Sequence, residues 1–416
     1  MLLLHLMQLL LERRAMADPW LDIIGIGEDG VDGLSADALK SLSVAEVIVG
    51  GDRHHRLAPN PDAKRIAWPS PFDAMIDEIK SHKGKRIVVL VTGDPLWYSV
   101  GARILKAVPK EEVRFFPQLS AFQWAACRMG WSLADCDTLT IHGRADSQIL
   151  PYLAPNARLL VLTQNGESPA RVAELLKERG FGKSRISVLA ALGGAGEERF
   201  DDIAQDWNQN VPDFHTLAVE CITDDDARWY SRVGGLPDDA FTHDGQITKR
   251  LVRSATLSAL SPYPDALLWD VGAGCGSVSI EWMRAARGAK AIAIESNPER
   301  AAMIRKNSVQ LGAEKIDIVE ASAPEGLSGL AIPDAVFIGG GLTGSMVFET
   351  CWNALRQGGK LVANAVTVES EALLFGLHRE HGGELSRLAV QEAQPVGRFH
   401  GWKPHMPVTQ WMVIKK

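Results

Sequence analysis

The chain has 416 residues, of which 46% are hydrophobic and 23% charged, and a formal net charge of −7. That length holds two or three domains, the composition is that of an ordinary globular protein, and the acidic balance argues against nucleic acid as a partner. The five cysteines, at 127, 136, 221, 275 and 351, make no C-x-x-C pair and no zinc spacing, so neither a disulfide framework nor a bound metal is expected, and a reducing cytoplasm fits.

Residues 1–11 are leucine-rich, but Arg13 and Arg14 follow that run, and it is too short to cross a bilayer. Residues 1–16 read as an upstream or disordered segment, with Met16 as the natural start. No other run reaches eighteen apolar residues, so no membrane span is expected. Residues 20–26 read as a strand, followed by Gly25-Ile26-Gly27-Glu28-Asp29-Gly30. By letter this is a dinucleotide fingerprint. The next helix, however, is displaced to Ser35, the expected cap of 36–42. The following strand, 44–49, ends in Gly50-Gly51-Asp52-Arg53-His54-His55-Arg56 with no acid for a ribose. A nicotinamide dehydrogenase is therefore disfavoured. The strand at 86–91 ends in Thr92-Gly93-Asp94-Pro95, and ligands of open α/β sheets sit at such carboxyl ends. Asp94 can accept from a ligand hydroxyl or amine, or simply shape the turn. Residues 115–126 then run from a strand into an apolar helix capped by Ser120.

Taken in order, the Gly25-x-Gly27 loop with Leu34-Ser35, the Gly93-Asp94-Pro95 turn and Pro117-Gln118-Leu119-Ser120-Ala121 resemble the tetrapyrrole (corrin/porphyrin) methylase family. The resemblance covers about 20–222, including strands expected at 158–163 and 217–222. It implies two α/β subdomains with S-adenosylmethionine (SAM) in the cleft between them, and it points to Gly93, Asp94, Ser120 and Ala121 as contacts of that cofactor.

Residues 223–229 are acidic and turn-prone, and Gly234-Gly235-Leu236-Pro237-Asp238-Asp239-Ala240-Phe241 reads as a linker. The expected division is 17–233, with subdomains about 17–126 and 127–222, and 234–416. Ile247-Thr248-Lys249 begins a helix, with Thr248 as a cap or a ligand contact. The apolar stretch 267–271 leads into Gly272-Ala273-Gly274-Cys275-Gly276, and a helix starts at Ser277. Alternating glycines let the backbone come close to a ligand, and the free N–H groups of the helix start face it. A dinucleotide motif would need glycine at 277. Glu295 closes the apolar run 291–294, nineteen residues beyond Gly276, where a carboxylate meets ribose hydroxyls. Onward, a helix runs from Pro298 to a stop at Gly312, and a strand at 316–320 carries Ala321-Ser322-Ala323-Pro324-Glu325 at its end. Strands follow at 334–338, ending in Gly339-Gly340-Gly341, at 360–364, at 386–391 and at 408–414. The alternation predicts a parallel sheet with right-handed crossovers.

The glycine triplet resembles the first motif of Rossmann-like SAM methyltransferases. Together with the 234–241 stretch, Glu295-Ser296-Asn297-Pro298-Glu299-Arg300 and the 333–341 stretch, it makes the chain after Met16 similar to two-domain methyltransferases of cobalamin synthesis. In these a tetrapyrrole methylase precedes a Rossmann-like class I methyltransferase domain, so the fold class implied is α/β. The resemblance implies a second SAM site at Thr248, Gly272, Gly274, Gly276, Glu295 and Ala323, hence two SAM per chain. It further implies two methyl transfers to meso carbons of a reduced tetrapyrrole with loss of carbon dioxide from an acetate arm, and a homo-oligomer. Leu251 departs from the glutamate expected there, which weakens any catalytic use of that helix. A substrate with many carboxylates calls for cations, and the candidates are Arg53, His54, His55 and Arg56 after the second strand and Arg398, His400, Lys403 and His405 near the C-terminus, the alternative being solvated charged loops. No catalytic residue is assigned, because an activated sulfonium methyl and an electron-rich carbon need alignment and dryness more than a base. A methyltransferase acting on RNA and a SAM-binding protein without turnover are the alternatives.

Overall fold

A computed structural model of the protein describes residues 19–60, 62–69 and 72–416; the segment 1–16 lies outside the described residues. The chain divides into two compact units. One takes the residues up to Arg144 together with Pro155–Ala227, and the other takes Ala145–Ala154 with Arg228–Lys416. Among the described residues no helix is long and apolar enough to cross a membrane.

The first unit holds two sheets. In the first, β1 (Leu21–Ile26), β2 (Val47–Gly50), β3 (Lys64–Ala67), β4 (Ile87–Thr92) and β5 (Val113–Phe116) lie in the order β3-β2-β4-β1-β5, all parallel. The apolar runs of β1, β2 and β4 suit strands buried on both faces. Successive side chains point to opposite sides, so Leu21, Ile23, Val47 and Val89 enter one core while Ile24, Ile26, Ile48 and Leu90 enter the other. Because the strands are parallel, their carboxyl ends share one edge. The loops after β1, β4 and β5 meet there. Between β1 and the first helix, Ala36–Ser43, stands a 3-10 turn at Gly30–Gly33, which is why the glycine letters at 25–30 do not open a helix. The second sheet comprises β6 (Asp137–Thr140), β7 (Arg158–Leu162), β8 (Arg185–Ala190), β9 (Glu198–Ile203) and β10 (His215–Glu220), in the order β6-β7-β10-β8-β9, with only β6 and β7 parallel.

The second unit is built on seven strands: β11 (Leu267–Val271), β12 (Lys290–Ile294), β13 (Asp317–Val319), β14 (Ala335–Ile338), β15 (Lys360–Ala365), β16 (Glu384–Leu388) and β19 (Val408–Ile414). Their order is β13-β12-β11-β14-β15-β19-β16. The first five are parallel and doubly wound in the Rossmann-like manner, with the order reversing at β11. The parallel sheet expected from alternation stops at β15: β19 runs antiparallel to both β15 and β16, because no helix separates β16 from the later strands. The strand expected at 386–391 is two strands. The chain leaves the sheet after Leu388 and forms a separate hairpin, β17 (Gln391–Val396) with β18 (Phe399–Pro404).

Two further features shape this unit. The stretch read as a linker is part of its core: Leu236, Ala240 and Phe241 are buried. The fully buried Arg253 explains the hold. Its Nε donates to Glu281 Oε1 at 2.6 Å, its Nη1 to Asp238 Oδ1 at 3.1 Å and to the Thr248 carbonyl, and its Nη2 to the Leu236 carbonyl. Glu281 in turn accepts the N–H groups of Gly235 and Leu236. The second feature is a strap, the 3-10 turn Asp146–Tyr152. It belongs to this unit although it comes from the middle of the other unit's sequence: Ser147 Oγ donates to Glu314, and the Arg232 guanidinium lies 4.8 Å over the Tyr152 ring.

Candidate functional site

In the first unit the three motif loops touch at the carboxyl edge of the parallel sheet. The Gly93 N–H donates to the Ile26 carbonyl at 3.2 Å, and the Gln118 N–H to the Gly93 carbonyl at 3.4 Å. A Cβ on Gly93 would lie 3.0 Å from both the Leu119 oxygen and the Ser120 Cα, so the Gly-Asp-Pro turn and the Ser-Ala turn come together only with glycine there. Asp94 Oδ1 accepts the Leu96 N–H at 2.7 Å, which shapes the turn. Ser120 caps the helix Ala121–Met129 in a reciprocal box, its Oγ accepting the Gln123 N–H while Gln123 Oε1 accepts the Ser120 N–H. Ala121 is the first helical residue.

Arg53 and His54 stand on the short helix Asp52–Leu57 after β2. The Arg53 guanidinium pairs with Glu28, donates to Thr92 Oγ1 and lies 4.1 Å over the Phe214 ring, which stands just before β10 in the same unit. Burial, with Arg56 nearby, pulls its pKa down to about 10, still charged at neutral pH. His54 differs. Its Nδ1 accepts the Gly51 N–H and its Nε2 lies 3.0 Å from Thr92 Oγ1. Burial first, and then Arg53 and His55, push its pKa down to about 4. At neutral pH the expected pair of cations is one cation and one neutral ring.

The second unit holds a cavity of about 950 Å³, at the upper end of the range for small-molecule sites. Gly272, Gly274, Glu295, Thr248 and Ala323 all line it. Gly272, Gly274 and Gly276 have φ of +70°, +59° and +80°, a conformation that side chains with a Cβ rarely adopt. A Cβ on Gly272 would sit 2.9 Å from Gly340, whereas one on Gly274 would meet only the Gln246 oxygen, at 3.6 Å. Gly272 thus closes one loop on another, and Gly274 leaves open space. Gly276 stands behind the wall: its Cβ would press on Ile304 at 2.9 Å, so it admits the helix Pro298–Leu311 against the helix Ser277–Ala285. Glu295 is buried; Oε2 accepts the Gly274 N–H at 2.8 Å and Oε1 the Asn297 N–H at 2.9 Å. These bonds aim its carboxylate and leave lone pairs for hydroxyls. Thr248 is not the helix cap. Lys249 holds that position for Arg250–Leu260, and the carbonyl of Thr248 is spent on Arg253, which fixes the 246–249 rim.

Arg398 and His400 are exposed at the tip of the β17–β18 hairpin and are not brought to the cavity. Strands rise about 3.3 Å per residue, so the five residues from His400 to His405 carry the tip far from the hairpin's base. The base is what lines the cavity, through Leu388, Val390, Glu392, His405 and Met406, along with Asn364 from β15. Of these, His405 is one of the cations named from the sequence; spacing rules do not reach the others, because they converge through antiparallel pairing late in the chain. The Gly339-Gly340-Gly341 loop, also on the wall, was visible as a glycine run at a strand end.

A family model described as tetrapyrrole (corrin/porphyrin) methylases matches residues 21–205, and one described as precorrin methyltransferase domain matches 239–415. Over 403 residues the chain is 45% identical to the precorrin-6Y C(5,15)-methyltransferase (decarboxylating) of Sinorhizobium sp, covering 96% of this chain and 98% of that relative. The chain belongs to the precorrin-6Y C(5,15)-methyltransferase family. Two shorter relatives, both of Salmonella typhimurium, carry the two parts of that family name separately. A cobalt-precorrin-7 C(5)-methyltransferase is 30% identical over 169 residues, 41% of this chain and 83% of its own length. A cobalt-precorrin-6B C(15)-methyltransferase (decarboxylating) is 34% identical over 180 residues, 42% of this chain and 92% of its own. Along this chain the tetrapyrrole methylase match precedes the precorrin methyltransferase match.

Proposed function

We propose that the chain methylates ring carbons C5 and C15 of a precorrin and removes carbon dioxide from one of its acetate arms, as a step of cobalamin biosynthesis, with one SAM site in each unit. The observation that carries this reading is the cavity of the second unit, with the glycine loop and Glu295 at one end, in a chain related to such enzymes along almost its whole length. The near end suits an adenosyl group. Gly274 leaves room for it, the Glu295 carboxylate is placed for ribose hydroxyls, and Ala323 with Ile294 supplies apolar wall. SAM supplies a methyl already activated on sulfonium. The protein's part is to align donor and acceptor and to exclude water, which the rim 246–249, fastened by Arg253, and the apolar wall of Val366, Leu388 and Val408 serve. In the first unit the converging Gly93, Asp94, Ser120 and Ala121 hold the other donor, and Arg53 offers charge to a substrate carboxylate. The first unit takes C5; the second takes C15 and the decarboxylation. The working form is a cytoplasmic homo-oligomer, in which the exposed Phe399 and Trp402 of the hairpin supply apolar surface for a neighbouring copy.

Mass spectrometry of the pigment after incubation with SAM tests this directly. Two methyl groups gained and one carbon dioxide lost are expected; an unchanged pigment overturns the reading. Calorimetric titration with S-adenosylhomocysteine is expected to find two sites per chain. Gly274→Arg should remove one and Asp94→Ala should weaken the other at least tenfold, and binding unchanged in both variants would refute the site assignments.

A further inference from the structure

The cavity is longer than a nucleoside requires, and its two ends differ. β11, which carries the glycine loop, is separated from β19 by β14 and β15. Three strand spacings make about 14 Å, so the wall formed by Leu388, Val390, Met406 and Val408 lies well beyond the reach of an adenosyl group held at Glu295. One ionisable pair stands in that apolar wall. His405 Nε2 lies 3.1 Å from Glu392 Oε2, and the His405 N–H donates to the Val390 carbonyl at 2.9 Å, which fixes the residue at the hairpin's base. No hydrogen bond among the described residues occupies Nδ1.

The other charged groups on the wall are engaged: Lys249 Nζ stands 3.8 Å from Asp238 Oδ2. Arg300 is paired with Asp244, and Arg250 Nε donates to the Gly235 carbonyl. Glu295 is engaged by two N–H groups, and burial pushes the Cys275 thiol up to about 11, where it holds its proton too tightly to give it away. Histidine is the side chain type that exchanges protons around neutral pH, and His405 is the one histidine lining the cavity among the described residues.

We propose that His405, oriented by Glu392, delivers the proton that replaces the carboxyl group lost from the substrate's acetate arm; this rests on the decarboxylating reading above. The bond between the acetate methylene and its carboxyl carbon breaks, its electron pair passes into the conjugated macrocycle and carbon dioxide leaves. As the pair returns, the methylene forms a C–H bond with the proton from Nδ1. The net change is the exchange of carboxylate for hydrogen at the cost of one proton, with no oxidant or reductant. A side chain 29% exposed regains its proton from water. Glu392 Oε2 stands 3.1 Å from Nε2, which leaves Nδ1 as the nitrogen that acts.

The test uses the full chain with SAM and the precorrin, comparing wild type, His405→Ala and Glu392→Gln. Pigment mass gives methylation and decarboxylation separately, and titration with S-adenosylhomocysteine reports the donor site. His405→Ala is expected to bind S-adenosylhomocysteine as wild type does and to gain methyl groups, but to decarboxylate about 100-fold more slowly, with partial recovery on adding imidazole. Glu392→Gln should show a smaller loss of the same kind. Decarboxylation at the wild-type rate in His405→Ala overturns the proposal. So does an equal fall in methylation and decarboxylation without imidazole rescue, which would mark a docking role. Failure of the wild type itself to methylate would instead overturn the function proposed above.

Discussion

Asp270 lies beneath the glycine loop with its two carboxylate oxygens unequally served. Oδ2 accepts both the N–H and the hydroxyl of Ser279, at 3.1 and 2.6 Å, while Oδ1 has no partner among the described residues. Burial raises its pKa to about 6, with the Glu295 charge adding to the rise against the pull of Ser279. The folded state therefore binds this proton more tightly than the unfolded chain does. Stability from this group is full below about pH 4 and is lost as pH rises through about 6, a difference of roughly 3 kcal/mol at most. Chemical denaturation of wild type and Asp270→Asn between pH 4 and 7 checks this. The wild type should lose stability relative to the variant as pH rises, and parallel curves would refute it. At this scale the sequence was informative about the glycines of the second unit's cavity, because the close approach of one loop to another there admits only a residue without a Cβ. It could not reveal that His54 is neutral while its neighbour Arg53 is charged, since that depends first on how deeply the fold buries each side chain.

At the scale of elements, the helices Arg250–Leu260 and Ser277–Ala285 are joined through one buried ion pair, Arg253 with Glu281, both at most 1% exposed. Removing one partner strands the other charge in the interior and typically costs about 3–5 kcal/mol. Arg253→Met should lower the unfolding free energy of the second unit by that amount, and Arg253→Met combined with Glu281→Leu should recover part of it; simple additivity would show that the pair is not coupled. The same pair shows why 234–241 misleads when read by letter. Gly234, Gly235, Asp238 and Asp239 carry the composition of a linker, yet two of that stretch's N–H groups and two of its carbonyls are satisfied by groups 15 to 46 residues away. The parallel strands β11 to β15 were legible from alternation. The hairpin β17–β18 was not, because its break after Leu388 is set by pairing with residues near the C-terminus.

For the whole molecule, the second unit begins at Arg228, ahead of the boundary at 233 expected from composition, and the strap was not visible at all. Nothing in 145–154 announces that it belongs with residues beyond 228. Its seat is tight at one point: a Cβ on Gly312 would lie 2.6 Å from Pro151 Cδ and 2.8 Å from the Ser147 oxygen. Gly312→Ala should therefore loosen the strap and open it to proteolysis within 145–154 at protease levels the wild type resists, while the strands of the second unit keep their circular dichroism. Equal digestion of both proteins would rule this out.

The strap makes the polypeptide pass between the two units three times rather than once. Severing the backbone anywhere in 223–230 therefore does not separate two finished halves. A gene cut at residue 233 would hand Ser147 and Pro151 to the wrong fragment and leave Gly312 and Glu314 bare on the other. Anyone dividing the two activities would need to supply residues 145–154 alongside 228–416, as a peptide added in trans or as a grafted loop.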